Sequence, residues 1–189
     1  MSFSNEAYWD GRYRNGRSSG VGSEGTVAIA KADYVTALIE QCGVRSVIDW
    51  GCGDGVVLGH ITAEMDYTGI DVSRTILEKV AASHPQHKFL HFSEYDGEMR
   101  DLGLSLDVLF HFPNDRAYQH YLMLLFGSSK RLVCIYATDD DRGLTAAHVR
   151  RRNFTRDVEL LFPQWQLVYT SRKDGDPLDE AAFYVYEKG

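Results

Sequence analysis

The sequence predicts an α/β fold built on a mostly parallel sheet, and three observations carry that expectation. The first is SVIDWGCGDG at residues 46–55. Ser46, Val47, Ile48 and Trp50 are small, β-branched or aromatic, the composition of a strand buried on both faces, and the chain then turns through Gly51, Gly53 and Gly55. The second is the alternation of helix-like and strand-like stretches through most of the chain. The third is a closing pair, WQLVYTSR and AAFYVYEK, joined by the turn-rich KDGDPLDE, which reads as two adjacent final strands.

Each element has its own signal. In the segment 5–25, Tyr8, Trp9, Arg12 and Tyr13 fall at i, i+1, i+4 and i+5, which predicts a short helix with aromatic pairs on one side; the alternative is a poorly ordered Gly/Ser tail. Residues 26–42 show a helical stripe of Val27, Ala30, Tyr34, Val35, Leu38 and Ile39, stopped by Gly43. A helix is expected from near Val56 to about residue 63, and YTGID makes a second strand at 67–71. Ser73 is placed to cap RTILEKVAAS, which ends before Pro85. KFLHF is a third strand, followed by the polar loop SEYDGEMR, and DLGLSLDVLFHFPND holds a fourth. Asn114 caps a helix whose stripe is Ala117, Tyr121, Leu124 and Leu125, and RLVCIYATD is a fifth strand. Beyond it, Thr155 is expected to cap a helix ending before Pro163.

Composition narrows the function. At 189 residues with 44% hydrophobic content the chain suits one domain, 1–189, with a full core and no room for a second catalytic unit. A net charge of −7 works against broad contact with a nucleic acid backbone. No apolar run reaches membrane-span length and MSFSNEAYWD has no apolar signal core, so a cytoplasmic protein is expected. Cys42, Cys52 and Cys134 have no metal-ligand spacing and read as reduced small hydrophobes.

The glycine loop narrows it further. A dinucleotide fingerprint wants G-x-G-x-x-G, but Val56 stands where the third glycine would. The pattern is instead acid-x-G-x-G-x-G, carried by Asp49, Gly51, Gly53 and Gly55, and Asp71 follows at the end of the next strand, where it can accept both hydroxyls of a ribose. These two motifs resemble those of the class I S-adenosylmethionine-dependent methyltransferases, in particular small bacterial ones opening Y-W-x-x-R-Y and continuing S-G-x-G-S.

The resemblance implies a Rossmann-like fold, a seven-stranded mostly parallel sheet with an antiparallel last strand and helices on both faces. It implies S-adenosylmethionine as cofactor, held by Asp49, Gly51, Cys52, Gly53, Asp71 and Val72, with Ser93 and Glu94 beside the adenine. Within residues 1–30, a segment expected to fold over the cofactor, Trp9 and Arg12 would close on its methionine end. The family pattern D-x-x-x-S-x-D-V-x-x-H places Ser105, Leu106, Asp107 and His111 below the reactive methyl.

Methyl transfer from a sulfonium needs in-line positioning and dryness more than acid–base groups. For a hydroxyl acceptor, His111 is the first candidate base and His148 the second; the bland reading of His111 is a histidine packed between Phe110 and Phe112. Asp107 either orients the acceptor or finishes the strand. The run HVRRR offers Arg150 and Arg152 as an electropositive wall for an anionic substrate, or is a solvated loop. Asp139, Asp140 and Asp141 could hold Mg²⁺ with Asp107, or form a solvated turn, and no metal is assigned. The expected function is methyl transfer to a small polar or anionic acceptor, on O or N. A non-catalytic partner module and a nucleotide-dependent oxidoreductase are the rivals. Oligomeric state is not legible.

Overall fold

Along each central strand, successive residues are buried on opposite sides of one sheet, and that alternation divides the core in two. In the computed structural model, which describes residues 4–173, 175–177 and 180–189, β1 (Ser46–Trp50) sends Ile48 and Trp50 to one face and Val47 to the other. β5 (Ser129–Ala137) does the same with Val133 and Ile135 against Leu132 and Cys134. The first face packs on α4 (Asp115–Gly127) and α5 (Phe154–Leu161), the second on α2 (Gly25–Cys42).

The sheet has seven strands in the order β3-β2-β1-β4-β5-β9-β8. β2 (Asp66–Asp71), β3 (Lys88–His91) and β4 (Arg100–Leu106) run parallel to β1 and β5, while β9 (Ala182–Lys188) runs antiparallel to both β5 and β8 (Trp165–Thr170). The chain order reverses between β1 and β4, and in open α/β sheets ligands bind beyond the carboxyl ends of the strands at that reversal. No helix among the described residues is long and apolar enough to cross a membrane. Three residues of the turn expected to join the last two strands, Asp174, Leu178 and Asp179, lie outside the described set.

Capping explains several boundaries. The Ser73 side chain accepts from Ile76 N and starts α3 (Arg74–Ser83), Asn114 accepts from Ala117 N, and Gly43 closes α2 in the left-handed conformation at φ 60°. The N-terminal aromatic cluster forms α1 (Asn5–Arg14), capped by Ser4.

Four expectations need correction. The helix from Val56 to residue 63 is a single 3-10 turn at Leu58–His60, because β-branched Val56, Val57, Ile61 and Thr62 and the central Gly59 disfavour helix propagation. α5 is capped by Asn153, whose side chain accepts from Arg156 N, while Thr155 sits inside the helix and bonds Asp139. The HVRRR run, whose bland reading is a solvated loop, lies largely in a hairpin: β6 (Gly143–Ala146) and β7 (Val149–Arg151) pair and turn at Ala147 and His148. The helical stripes are also rotated. α2 buries Ala28, Lys31, Ala32, Val35 and Ile39 with Val27 exposed, and α4 buries Tyr118, Tyr121, Leu122, Leu125 and Phe126 with Ala117 exposed.

One buried polar contact ties the end of β1 to the end of α4. Trp50 Nε1 donates to Ser128 Oγ at 2.9 Å in the core. Ser128→Ala strands that N–H, and urea unfolding is expected to show a loss of about 1–3 kcal/mol.

Candidate functional site

The strand ends at the reversal open into a cavity of about 530 Å³, roofed by α1 and the segment that follows it. Its floor is the glycine loop. Asp49 is buried and accepts from the Tyr67 hydroxyl at 2.8 Å. Asp71 accepts from the amides of Gly53 (3.1 Å) and Ser73 (2.9 Å), so it ties the loop after β1 to the start of α3. Burial pushes each carboxyl up to about 6, against the hydrogen bonds it accepts. The folded chain therefore holds these two protons more tightly than the unfolded chain does. Their stabilising contribution is present below about pH 4 and is lost as pH rises through 6.

The roof is pinned at several points. Asp10 on α1 accepts from Ser73 Oγ (2.8 Å) and Thr75 N (3.2 Å), placing its carboxylate at the N-terminus of α3. Ser19 and Asp54 bond reciprocally: Ser19 N donates to the Asp54 carboxylate at 2.9 Å and Asp54 N to Ser19 Oγ at 3.1 Å. The buried Tyr13 hydroxyl pairs with the same Ser19 Oγ at 3.0 Å. Arg12 Nε donates to the Ser18 carbonyl at 2.6 Å, and its guanidinium lies 5.8 Å from the Trp9 ring.

Rings close the far wall. Tyr8 stacks on His148 at 4.5 Å, Trp9 meets His111 edge-on at 4.8 Å, and the two imidazoles stack at 5.6 Å. His111 Nδ1 lies 3.3 Å from the His148 carbonyl, so it carries the proton and leaves Nε2 as the basic nitrogen. Burial pushes the His111 imidazole down to about 4, so it is neutral at pH 7 and a weak base. His148 reaches this wall because the β6–β7 hairpin turns there.

Of the residues singled out in the sequence, Trp9, Arg12, Asp49, Gly51, Cys52, Gly53, Asp71, Val72, Leu106, Asp107, His111 and His148 line the cavity. The others do not. Ser93 pairs with His91 Nδ1 at 2.7 Å and the exposed Glu94 with Arg74 at 2.8 Å, because a capping turn directs both outward; Phe92 lines the cavity instead. Ser105 is fully buried beneath it and pairs with the Tyr121 hydroxyl at 2.8 Å. Arg150 and Arg152 reach to Asp115 and the Pro113 carbonyl at the start of α4, and Arg152 also lies over Tyr118. Asp139 holds the first turn of α5, Asp140 is buried against Arg151, and Asp141 is exposed. Tyr8, Tyr13, Ser19, Asp54 and Phe92 line the cavity without having been assigned a role from sequence.

No protein-family model matches the sequence, and no curated protein matches it. Solved structures do match over almost the whole chain. The magnesium protoporphyrin IX methyltransferase of Synechocystis PCC 6803 with bound SAH superposes at TM-score 0.72 with 15% identity, covering 98% of both chains. The 1,6-didemethyltoxoflavin-N1-methyltransferase of Burkholderia thailandensis gives 0.72 at 19% identity, covering 97% of this chain and 86% of that one. The N-methyltransferase NodS of Bradyrhizobium japonicum WM9 gives 0.71 at 11% identity, covering 98% and 99%. The chain has the class I S-adenosylmethionine-dependent methyltransferase fold.

Proposed function

We propose that this chain is an S-adenosylmethionine-dependent methyltransferase acting on a small-molecule acceptor by O- or N-methylation. The observation that carries the reading is the acid, glycine loop and acid of Asp49, Gly51, Gly53 and Asp71 set around one cavity with Arg12 and Trp9 in its roof. A cavity of about 530 Å³ suits a cofactor of this kind with a small acceptor beside it. Asp71 would accept the ribose hydroxyls, Val72 and Leu106 would supply apolar walls, and Arg12 would meet the carboxylate of the methionine tail. When bound, S-adenosylmethionine supplies an already activated methyl group.

The chain's own task is then to align the acceptor, exclude water and move one proton. The roof formed by residues 5–23 excludes water. His111 Nε2 would take the proton of a hydroxyl acceptor, and its weak basicity suits removal after attack, when the oxygen is strongly acidic; an amine acceptor attacks through its free lone pair and needs no base. Arg150 and Arg152 are engaged at Asp115, and the cavity lining carries Asp49, Asp54 and Asp71, with Asp107 already paired to Lys31, against Arg12. That balance favours a polar, uncharged acceptor over the anionic one suggested by the arginine run.

Isothermal titration with S-adenosylmethionine, S-adenosylhomocysteine and NADH tests the reading. Micromolar binding of the first two and none of the third is expected. Binding of NADH alone would replace it with a nucleotide-dependent oxidoreductase, and binding of nothing would leave a non-catalytic module. A pH series adds a second check. Asp71 must be ionised to accept both hydroxyls, so S-adenosylhomocysteine affinity is expected to fall, by up to about tenfold per pH unit, below about pH 6 and to be level above it.

A further inference from the structure

Lys31 is a charged residue on the buried face of α2, and its side chain is 2% exposed. A buried ammonium without partners is strongly disfavoured, so its surroundings state its task. Its Nζ donates to the Gly22 carbonyl at 2.5 Å, forms an ion pair with the Asp107 carboxylate, and lies 4.6 Å from the centre of the Tyr136 ring. No residue of α2 lines the cavity, yet both hydrogen-bonding partners do. Gly22 belongs to the segment after α1, and Asp107 follows the tip of β4.

Two further observations meet at the same point. Asp107 has φ 61°, the left-handed region that a non-glycine residue adopts at a cost, and such strain persists only where neighbours hold it. Gly22 approaches so closely that a Cβ there would lie 2.6 Å from Asp107 Oδ2. The roof segment and the β4 tip are thus drawn into contact across one buried cation.

We infer that Lys31 is a positioning residue that sets residues 18–23 over the amino-acid tail of the cofactor, acting through the Gly22 carbonyl and the Asp107 carboxylate. The inference rests on the cofactor reading above. The tail is the relevant part because Arg12, the cation beside Ser18 and Gly20, is the group that would meet its carboxylate, whereas Asp71, which bonds the Gly53 and Ser73 amides, is the group assigned to the ribose. Tyr136 adds its ring face, which stabilises the ammonium without offering it a competing proton acceptor.

The test is calorimetric titration of Lys31→Met with two ligands, S-adenosylhomocysteine and 5′-methylthioadenosine, which lacks the amino-acid tail. Affinity for the first is expected to fall at least tenfold while affinity for the second stays within about twofold. Equal losses for both, or no loss for either, would overturn the inference, since a role in general stability acts on both ligands alike. If wild type binds neither ligand, the cofactor reading itself fails and the inference with it. Should Lys31→Met unfold because it strands the Asp107 carboxylate, Lys31→Met/Asp107→Asn removes both charges and still lacks the bond to Gly22. The same selective loss is expected of that double variant.

Discussion

Asp71→Ala is expected to weaken S-adenosylhomocysteine binding by one to two orders of magnitude. The carboxylate would accept two ribose hydroxyls, and charge-assisted hydrogen bonds of this kind are worth about 1.5–3 kcal/mol. The same carboxylate accepts the amides of Gly53 and Ser73, so the substitution also releases the glycine loop from α3. A fall in unfolding free energy of about 1–3 kcal/mol should accompany the lost affinity. Asp71→Asn separates the two roles: it keeps one oxygen as acceptor but removes the charge, so stability should recover more than affinity does. Calorimetric titration and urea unfolding on the same samples decide it. Unchanged affinity in Asp71→Ala would sink the ribose role.

Gly51→Ala is expected to cost about 2–4 kcal/mol of stability. Gly51 has φ 88°, where a side chain is strained by about 1–2 kcal/mol, and its Cβ would lie 2.6 Å from Val108 Cγ2. Strain and overlap can be told apart because they have different remedies. Adding Val108→Ala removes the overlap but not the backbone strain, so the double variant should recover only part of the loss, with a coupling that a double-mutant cycle measures. Full recovery, or none, would show that a single cause dominates.

The positions of these two residues were also the easiest to read from sequence, because they follow from local chain geometry. A glycine at a sharp turn and an acid at the next strand end are set by neighbours a few residues away, and periodicity does the same for the central strands. What escaped reading depends on partners far along the chain. Lys31 looks like a solvent-facing position between apolar neighbours, and its burial follows from Asp107, 76 residues distant. The buried face of α2 carries Lys31 with Ala28, Ala32, Val35 and Ile39 rather than Val27 and Ala30. Arg150 and Arg152 look available to a ligand until the fold brings Asp115 to them. The β6–β7 hairpin is short and rich in arginine, with too few β-branched residues to announce itself, yet it delivers His148 to the cavity wall. Ser93 and Glu94 are engaged in a capping turn, while the neighbouring Phe92 lines the cavity.

The single 3-10 turn that follows the glycine loop has a consequence for ionic selectivity. Where a long helix begins immediately after such a loop, its first amides and the aligned peptide dipoles concentrate about half a positive charge on whatever rests there, which suits a pyrophosphate. Here Leu58–His60 is too short to sum peptide dipoles, and the chain is extended again at Ile61. The nearest fixed charges are instead the carboxylates of Asp49, Asp54 and Asp71. Carboxylates in that position would repel a doubly charged phosphate bridge and tolerate a positively charged sulfur centre.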